Sequence, residues 1–246
     1  STTKYPGNTY FTNGIISQWE IPPPNIVSKK KLTKSIGPYD YIVTSVTDAS
    51  NIPEWNDWIV KYAKLAKYLR TNVNKKGFSR KCIPTSGVDV TECPNDAELI
   101  LIILNNLLIG AICFKRLTIS KSTELIIIYS RESFAREGDG KCSDDITPLN
   151  PYKNRYDVIH NLSKNKDFLS PGKAMAQALR NYAKEIDKSH IVLVNSATKE
   201  AIKYHEKMGW KLLKNNNIID KTKIIDLLTR KYFFPLDTIY YEEINN

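Results

Sequence analysis

Three histidines, four cysteines and two methionines are all the nitrogen and sulfur ligands in this 246-residue chain, and their placement excludes more than their number does. His160, His190 and His205 fall on separate segments. Cys82, Cys93, Cys113 and Cys142 include no close pair with zinc-site spacing, so no metal is expected. Cys113 lies in an apolar run that reads as core, and reduced thiols with a cytoplasmic setting are the expectation. No apolar run reaches the roughly 20 residues needed to span a bilayer. The opening stretch STTKYPGNTY lacks the apolar core of a secretory signal, so neither a membrane partner nor export is expected. Glycine is sparse too. One glycine-bearing run that invites a phosphate-loop reading, Arg136-Glu137-Gly138-Asp139-Gly140, would point two carboxylates at the phosphates and opens no helix; it reads as an ordinary turn.

Acidic residues are the other shortage, 26 against 36 basic ones, for a net charge of +10. That balance admits nucleic acid, an acidic surface or an anionic cofactor. Its densest part is 61–81, where Lys61, Lys64, Lys67, Arg70, Lys75, Lys76, Arg80 and Lys81 meet no acidic residue. Trp55, Trp58, Tyr62, Leu65 and Leu69 recur at three and four through the start of this stretch, which predicts an amphipathic helix with an aromatic buried face and lysines opposite. Asn51-Ile52-Pro53-Glu54 has the form of a capping box that would open it. Single-strand binding would need aromatics on the basic face, so no specific nucleic acid is expected.

Residues 1–38, with Pro22-Pro23-Pro24 and Lys29-Lys30-Lys31, have little periodicity and read as an extended N-terminal arm; residues 39–246 read as one domain. Strands are predicted at 39–46, at 97–104 and 107–117 as a hairpin turning at Asn105-Asn106, at 124–129, and at 237–244. A polar loop, 71–95, precedes the hairpin.

The most informative segment is 170–210. Ser170 is a helix N-cap, Pro171 suits the first helical position, and Gly172 adds no side chain. Open amides at a positive helix end bind phosphate, and Lys173 in that first turn opposes the helix dipole unless an anion sits there. Met175, Ala178, Leu179, Tyr182 and Ile186 form an apolar stripe. A short apolar strand, 190–194, follows, with Asn195 and Ser196 as cap candidates. Ala197, Ala201, Tyr204 and Met208 make a second stripe. Gly209 sits where a left-handed residue ends a helix, with Trp210 folding back onto Tyr204 and His205.

Helix, strand, helix and glycine stop resemble the acyl-CoA-binding half of the GNAT N-acetyltransferases. Gly172-Lys173-Ala174-Met175-Ala176 resembles the family's pyrophosphate loop, Arg/Gln-x-x-Gly-x-Gly/Ala: Ala176 fits its last position, Ala174 replaces the second glycine, and Pro171 stands where Arg or Gln is usual. Ala201 to Trp210 resembles the family's helix ending in an aromatic pair, Glu-Lys, an apolar residue, glycine and an aromatic. The resemblance implies an α/β fold with a mixed, mostly antiparallel central sheet flanked by helices, and an insertion at 131–169 before the CoA-binding helix. It implies acetyl-CoA as cofactor, held by Ser170, Gly172, Lys173, Ala174, Met175 and Ala176, with Asn195 and Thr198 as further contacts. The activity implied is transfer of acetyl from acetyl-CoA to a primary amine, on a small molecule or a protein, by direct attack; a homodimer is among the assemblies expected.

His205 falls where the family usually has the tyrosine that protonates the leaving thiolate, and Tyr204 one place earlier. Imidazole can do this chemistry, or His205 can pack under Trp210. The family's fourth strand is either 124–129, which offers Glu124 as a catalytic carboxylate, or 156–162, which offers Asp157 or His160. The competing reading is a degenerate fold of this kind serving in binding or structure with weak or no catalysis.

Overall fold

The computed structural model describes residues 32–60, 93–135, 151–186, 189–195 and 199–244. In chain order these form β1 (Leu32–Ile36), β2 (Tyr39–Ser45), α1 (Pro53–Trp58), β3 (Glu98–Leu104), β4 (Leu107–Ser120), β5 (Thr123–Ser133), α2 (Pro151–Leu162), α3 (Pro171–Glu185), β6 (Ser189–Asn195), α4 (Lys199–Lys207), β7 (Lys211–Leu212), α5 (Lys221–Asp226) and β8 (Ile239–Glu243). A wider helical turn, Leu227–Lys231, extends α5.

The strands make one sheet in the order β1-β2-β3-β4-β5-β6-β8-β7. Every pairing is antiparallel except β5 with β6. A parallel pair needs a long crossover, and α2 and α3 supply it. The fold is thus the mixed, mostly antiparallel sheet flanked by helices that the resemblance implies. At the β3–β4 hairpin Asn105 and Asn106 have φ of 50° and 61°, the left-handed pair a two-residue turn requires and asparagine tolerates.

Helices cover both sheet faces because strand side chains alternate. Leu99, Leu101, Leu125 and Ile127 pack with Trp55, Trp58, Ile224 and Leu228 on one side. Ile100, Ile102, Ile126 and Ile128 pack with Ala174, Met175, Ala178, Leu179 and Trp210 on the other. On the second side α3 is tied across the sheet. The Tyr182 hydroxyl donates to Glu98 on β3 at 2.9 Å, Arg180 pairs with Glu242 on β8 at 2.7 Å, and Glu185 pairs with Lys34 on β1. Just before the helix, the Tyr39 hydroxyl donates to the Leu169 carbonyl at 2.7 Å. Burying Met175 and Leu179 adds about 1.5–3 kcal/mol each.

Several expectations are corrected. Leu32–Ile36, assigned above to the arm, is an edge strand paired with β2; residues 1–31 of the arm lie outside the described residues. Segment 156–162 belongs to helix α2, so β5 is the strand that precedes the crossover. β5 runs to Ser133, which places Arg131 and Glu132 in the sheet and not in an insertion. The N-cap of α1 is Ile52 with no side-chain cap bond, so Asn51 and Glu54 form no capping box. Cys93 and Cys113 are joined in a disulfide with Cα atoms 6.5 Å apart, against the expectation of reduced thiols and against the support it lent to a cytoplasmic setting. The basic stretch 61–81 and the 136–140 turn lie outside the described residues. Among the described residues no helix is long and apolar enough to cross a membrane.

Candidate functional site

The parallel ladder between β5 and β6 ends at Ile128 and Val194, yet β5 continues to Ser133 alongside β4. Where the two strands part, the β4–β5 register shifts: Cys113 faces Ser130 and Phe114 faces Ile128, leaving Tyr129 as the extra residue of a bulge. A bulge increases local twist, so the central sheet splits at its C-terminal end for β5 and β6. The helix between two parallel strands runs back against them, which brings the N-terminus of α3 to this same end. Gly110 marks the close approach there. A β-carbon on it would lie 2.7 Å from the Met175 sulfur of α3 and 3.3 Å from the Glu132 carbonyl oxygen.

The N-terminus of α3 is built as the sequence predicts. Ser170 has extended backbone and its hydroxyl accepts from the Lys173 amide at 3.5 Å, with Pro171 following. The Ala174 amide donates to the Ser170 carbonyl at 2.9 Å, so it is engaged in the helix. Pro171 has no N–H and the Lys173 amide is taken by the cap, so Gly172 carries the open amide; the Lys173 side chain is exposed, and the first turn has no acidic residue. Ala174 and Met175 are buried with their side chains in the core, and Ala176 is half-buried. Among the described residues there is room around Gly172: the one atom within 4 Å of a β-carbon built there is the Tyr204 hydroxyl, at 4.0 Å. Asn195 ends β6, paired with Ile239, and Thr198 lies outside the described residues.

α4 ends as read. The Trp210 amide donates to the His205 carbonyl at 2.9 Å and the Gly209 amide to that of Glu206 at 3.0 Å, with Gly209 at φ 86°. This double closure brings Trp210 onto the His205 ring, 5.1 Å between centroids. His205 is 5% exposed and also lies beside Tyr204 and Tyr240. Burial, followed by the charge of Arg131, pushes its pKa down to about 4, although a hydrogen bond with the Ala201 backbone opposes this. Its imidazole is neutral near pH 7 and enclosed by rings. Tyr204 is half-buried, with its hydroxyl toward α3 and the Arg131 guanidinium over its ring at 4.4 Å.

The other expected catalytic residues lie elsewhere. Glu124 pairs with Ser189 at the opposite end of the β5–β6 ladder. Its charge acts on Arg116 and on Tyr182, ten residues down α3 from Gly172, or about 15 Å. His160 is exposed on α2, where its Nδ1 is 3.3 Å from the Tyr156 hydroxyl, and Asp157 is exposed beside it. Two residues that sequence reasoning missed stand at the split: Arg131, and Glu132, which is 2% exposed. Their positions face opposite sides of β5, Arg131 opposite core residue Ile112 on the α3 side and Glu132 opposite Ala111. Polar residues at the end of an apolar strand gave a signal that reads equally as a loop.

No protein-family profile matches the chain, and no curated protein does. Among solved structures, it resembles a point mutant of the AtaT toxin bound to the C-terminus of the antitoxin AtaR, with TM-score 0.26 and 5% identity over 60% of this chain and 66% of that one. The same mutant toxin with AtaR and acetyl-CoA gives TM-score 0.26 and 5% identity, covering 60% and 67%. The KacTA–DNA complex gives 0.28 and 6%, covering 72% of this chain and 80% of that one. The match spans just under two thirds of the first AtaT chain's own length. Likeness at this level assigns no activity.

Proposed function

We propose that the chain is an N-acetyltransferase using acetyl-CoA and a primary amine. The observation that carries this reading is the convergence of the Tyr204 hydroxyl and the open N-terminus of α3 at the point where β5 and β6 part. The residues there suit a polyphosphate: the unengaged helix-end amide of Gly172, a hydroxyl at Ser170, a cation at Lys173, space beside Gly172 among the described residues, and no carboxylate in the first turn. Acetyl-CoA supplies an acetyl group activated as a thioester. Ser170, Gly172 and Lys173 would hold its pyrophosphate, Ala174, Met175 and Ala176 would seat the turn on the sheet, and Asn195 ends the far strand.

In this reading the protein works chiefly by positioning, with two proton transfers besides. Glu132 takes the proton that the attacking amine loses, a role read from its place on β5 beyond the bulge. Tyr204 gives its hydroxyl proton to the departing sulfur, so the products are an amide and the free thiol of CoA. His205 supports Tyr204 and Trp210 by packing. A small neutral amine, an amino sugar or a protein segment with acidic flanks suits the basic chain as acceptor. Glu124 and His160 take no part in this arrangement.

Acetyl-CoA should raise the melting temperature in proportion to the logarithm of its concentration once the site fills, as any native-state ligand does. Thiol release with a panel of amines then tests transfer. Absence of a shift at millimolar acetyl-CoA removes the enzyme reading, and a shift without thiol release from any amine leaves a binding protein of this fold.

A further inference from the structure

We propose that Arg131 is a positioning residue for Tyr204, holding the phenol toward the N-terminus of α3; this rests on the acetyl-transfer reading above. Arg131 lies on the part of β5 beyond the end of its ladder with β6, three residues past Ile128. Opposite Ile112, it is on the sheet face that packs α3. Its guanidinium stands 4.4 Å from the centre of the Tyr204 ring, within the roughly 6 Å over which a cation is drawn to an aromatic face. The His205 ring meets the Tyr204 ring edge-on at 5.3 Å. One contact thus covers a face of the phenol and the other crosses it steeply, which restricts both side-chain torsions of a tyrosine whose hydroxyl must reach a reacting atom.

The two anchors are not equivalent. His205 belongs to α4 itself, so it travels with Tyr204 and cannot set the distance from α4 to α3. Arg131 comes from the sheet on which α3 is seated through Ala174 and Met175. It is the contact that ties the Tyr204 ring to the same frame as the α3 N-terminus. Guanidinium is planar and weakly hydrated, so it can lie flat on a ring, whereas the compact ammonium of lysine keeps the charge and loses the flat contact. Because proton transfer requires hydrogen-bond reach, a phenol displaced by an ångström loses about two orders of magnitude in rate with cofactor binding intact.

The test compares wild type with Arg131→Lys and Arg131→Met, which keep the aliphatic stem, by acetyl-CoA affinity, turnover and the ring resonances of 13C-labelled Tyr204. Expected are a fall in kcat of about tenfold to a hundredfold for Met and less for Lys, an unchanged Kd for acetyl-CoA, and a shift of the Tyr204 ring signals in the same order. A weakened Kd with unchanged kcat would overturn positioning and make Arg131 a phosphate ligand. Unchanged kcat and Tyr204 signals would overturn it outright. If wild type neither binds nor turns over acetyl-CoA, the transfer reading fails, and the ring signals alone still decide whether Arg131 fixes Tyr204. Circular dichroism confirms that each variant is folded.

Discussion

The Tyr204 hydroxyl on α4 lies 4.0 Å from the point a β-carbon at Gly172 would occupy on α3. Two helices separated in sequence by a whole strand therefore present a phenol hydroxyl and a helix N-terminus to one spot. Ser170 and Gly209 make this work from either side: one caps the helix that points into the spot, the other ends the helix that brings Tyr204 there.

Tyr204→Phe removes only the hydroxyl and leaves the ring under Arg131. Turnover should fall by about a hundredfold, as for loss of a positioned acid, while acetyl-CoA affinity and melting temperature stay near wild type. His205→Phe should keep most of the turnover, because the proposed donor is Tyr204 and the His205 imidazole is enclosed and neutral. Steady-state kinetics on the two variants decides between neighbours in the chain. A larger loss for His205→Phe than for Tyr204→Phe would return the donor role to His205.

Gly172→Glu places a carboxylate at the helix end and has room to do so, since the one neighbour among the described residues is a hydroxyl at 4.0 Å. The variant should fold, and its melting temperature should no longer respond to acetyl-CoA. Gly172→Ala, which adds bulk without charge, should retain most of the response. Thermal shift across a cofactor titration separates charge from size, and an equal response from Glu and wild type would move the pyrophosphate elsewhere.

Gly209→Ala isolates the glycine stop. Among the described residues nothing lies within 4 Å of the added carbon, so its cost is the backbone's: a side chain at φ 86°. A loss of about 1–2 kcal/mol is expected in denaturant unfolding, with Trp210 fluorescence reporting any change in its packing on His205. No loss would mean that the turn relaxes freely.

The half of the site that is local in sequence was legible. The cap and stripe of α3 and the glycine stop of α4 act over a few residues, and the structure has them where the residues placed them. The Asn105-Asn106 hairpin was legible for the same reason. Segment 156–162 misled because Tyr156, Val158, His160 and Leu162 alternate as a strand would, while α2 buries Arg155 and Ile159, four apart. Neither Glu124 nor His160 could be placed until the strand before the crossover was known, and that depends on long-range pairing. The Cys93–Cys113 bridge is likewise a meeting of two segments whose spacing, 20 residues, resembles no short motif. Arg131 became visible through the bulge at Tyr129, which a register alone reveals.

His205 should leave a signature in the pH dependence of stability. Its folded-state pKa, about 4, lies below the ordinary value of 6.5, chiefly because burial disfavours the charged form. The unfolded chain therefore takes up a proton before the folded one does. The stability that depends on a neutral ring is complete above about pH 6.5, declines as pH falls toward 4, and changes no further below that. The size of the decline is up to about 3 kcal/mol for this residue, which is 5% exposed. His205→Phe cannot take up that proton, so between pH 6.5 and 4 its stability should fall less steeply than wild type's, and the gap between the two curves isolates His205 from the carboxylates that titrate in both. Urea unfolding at closely spaced pH values gives the curves. Parallel curves would mean that His205 titrates normally in the folded protein, and the enclosed, neutral imidazole behind the choice of Tyr204 as donor would be withdrawn.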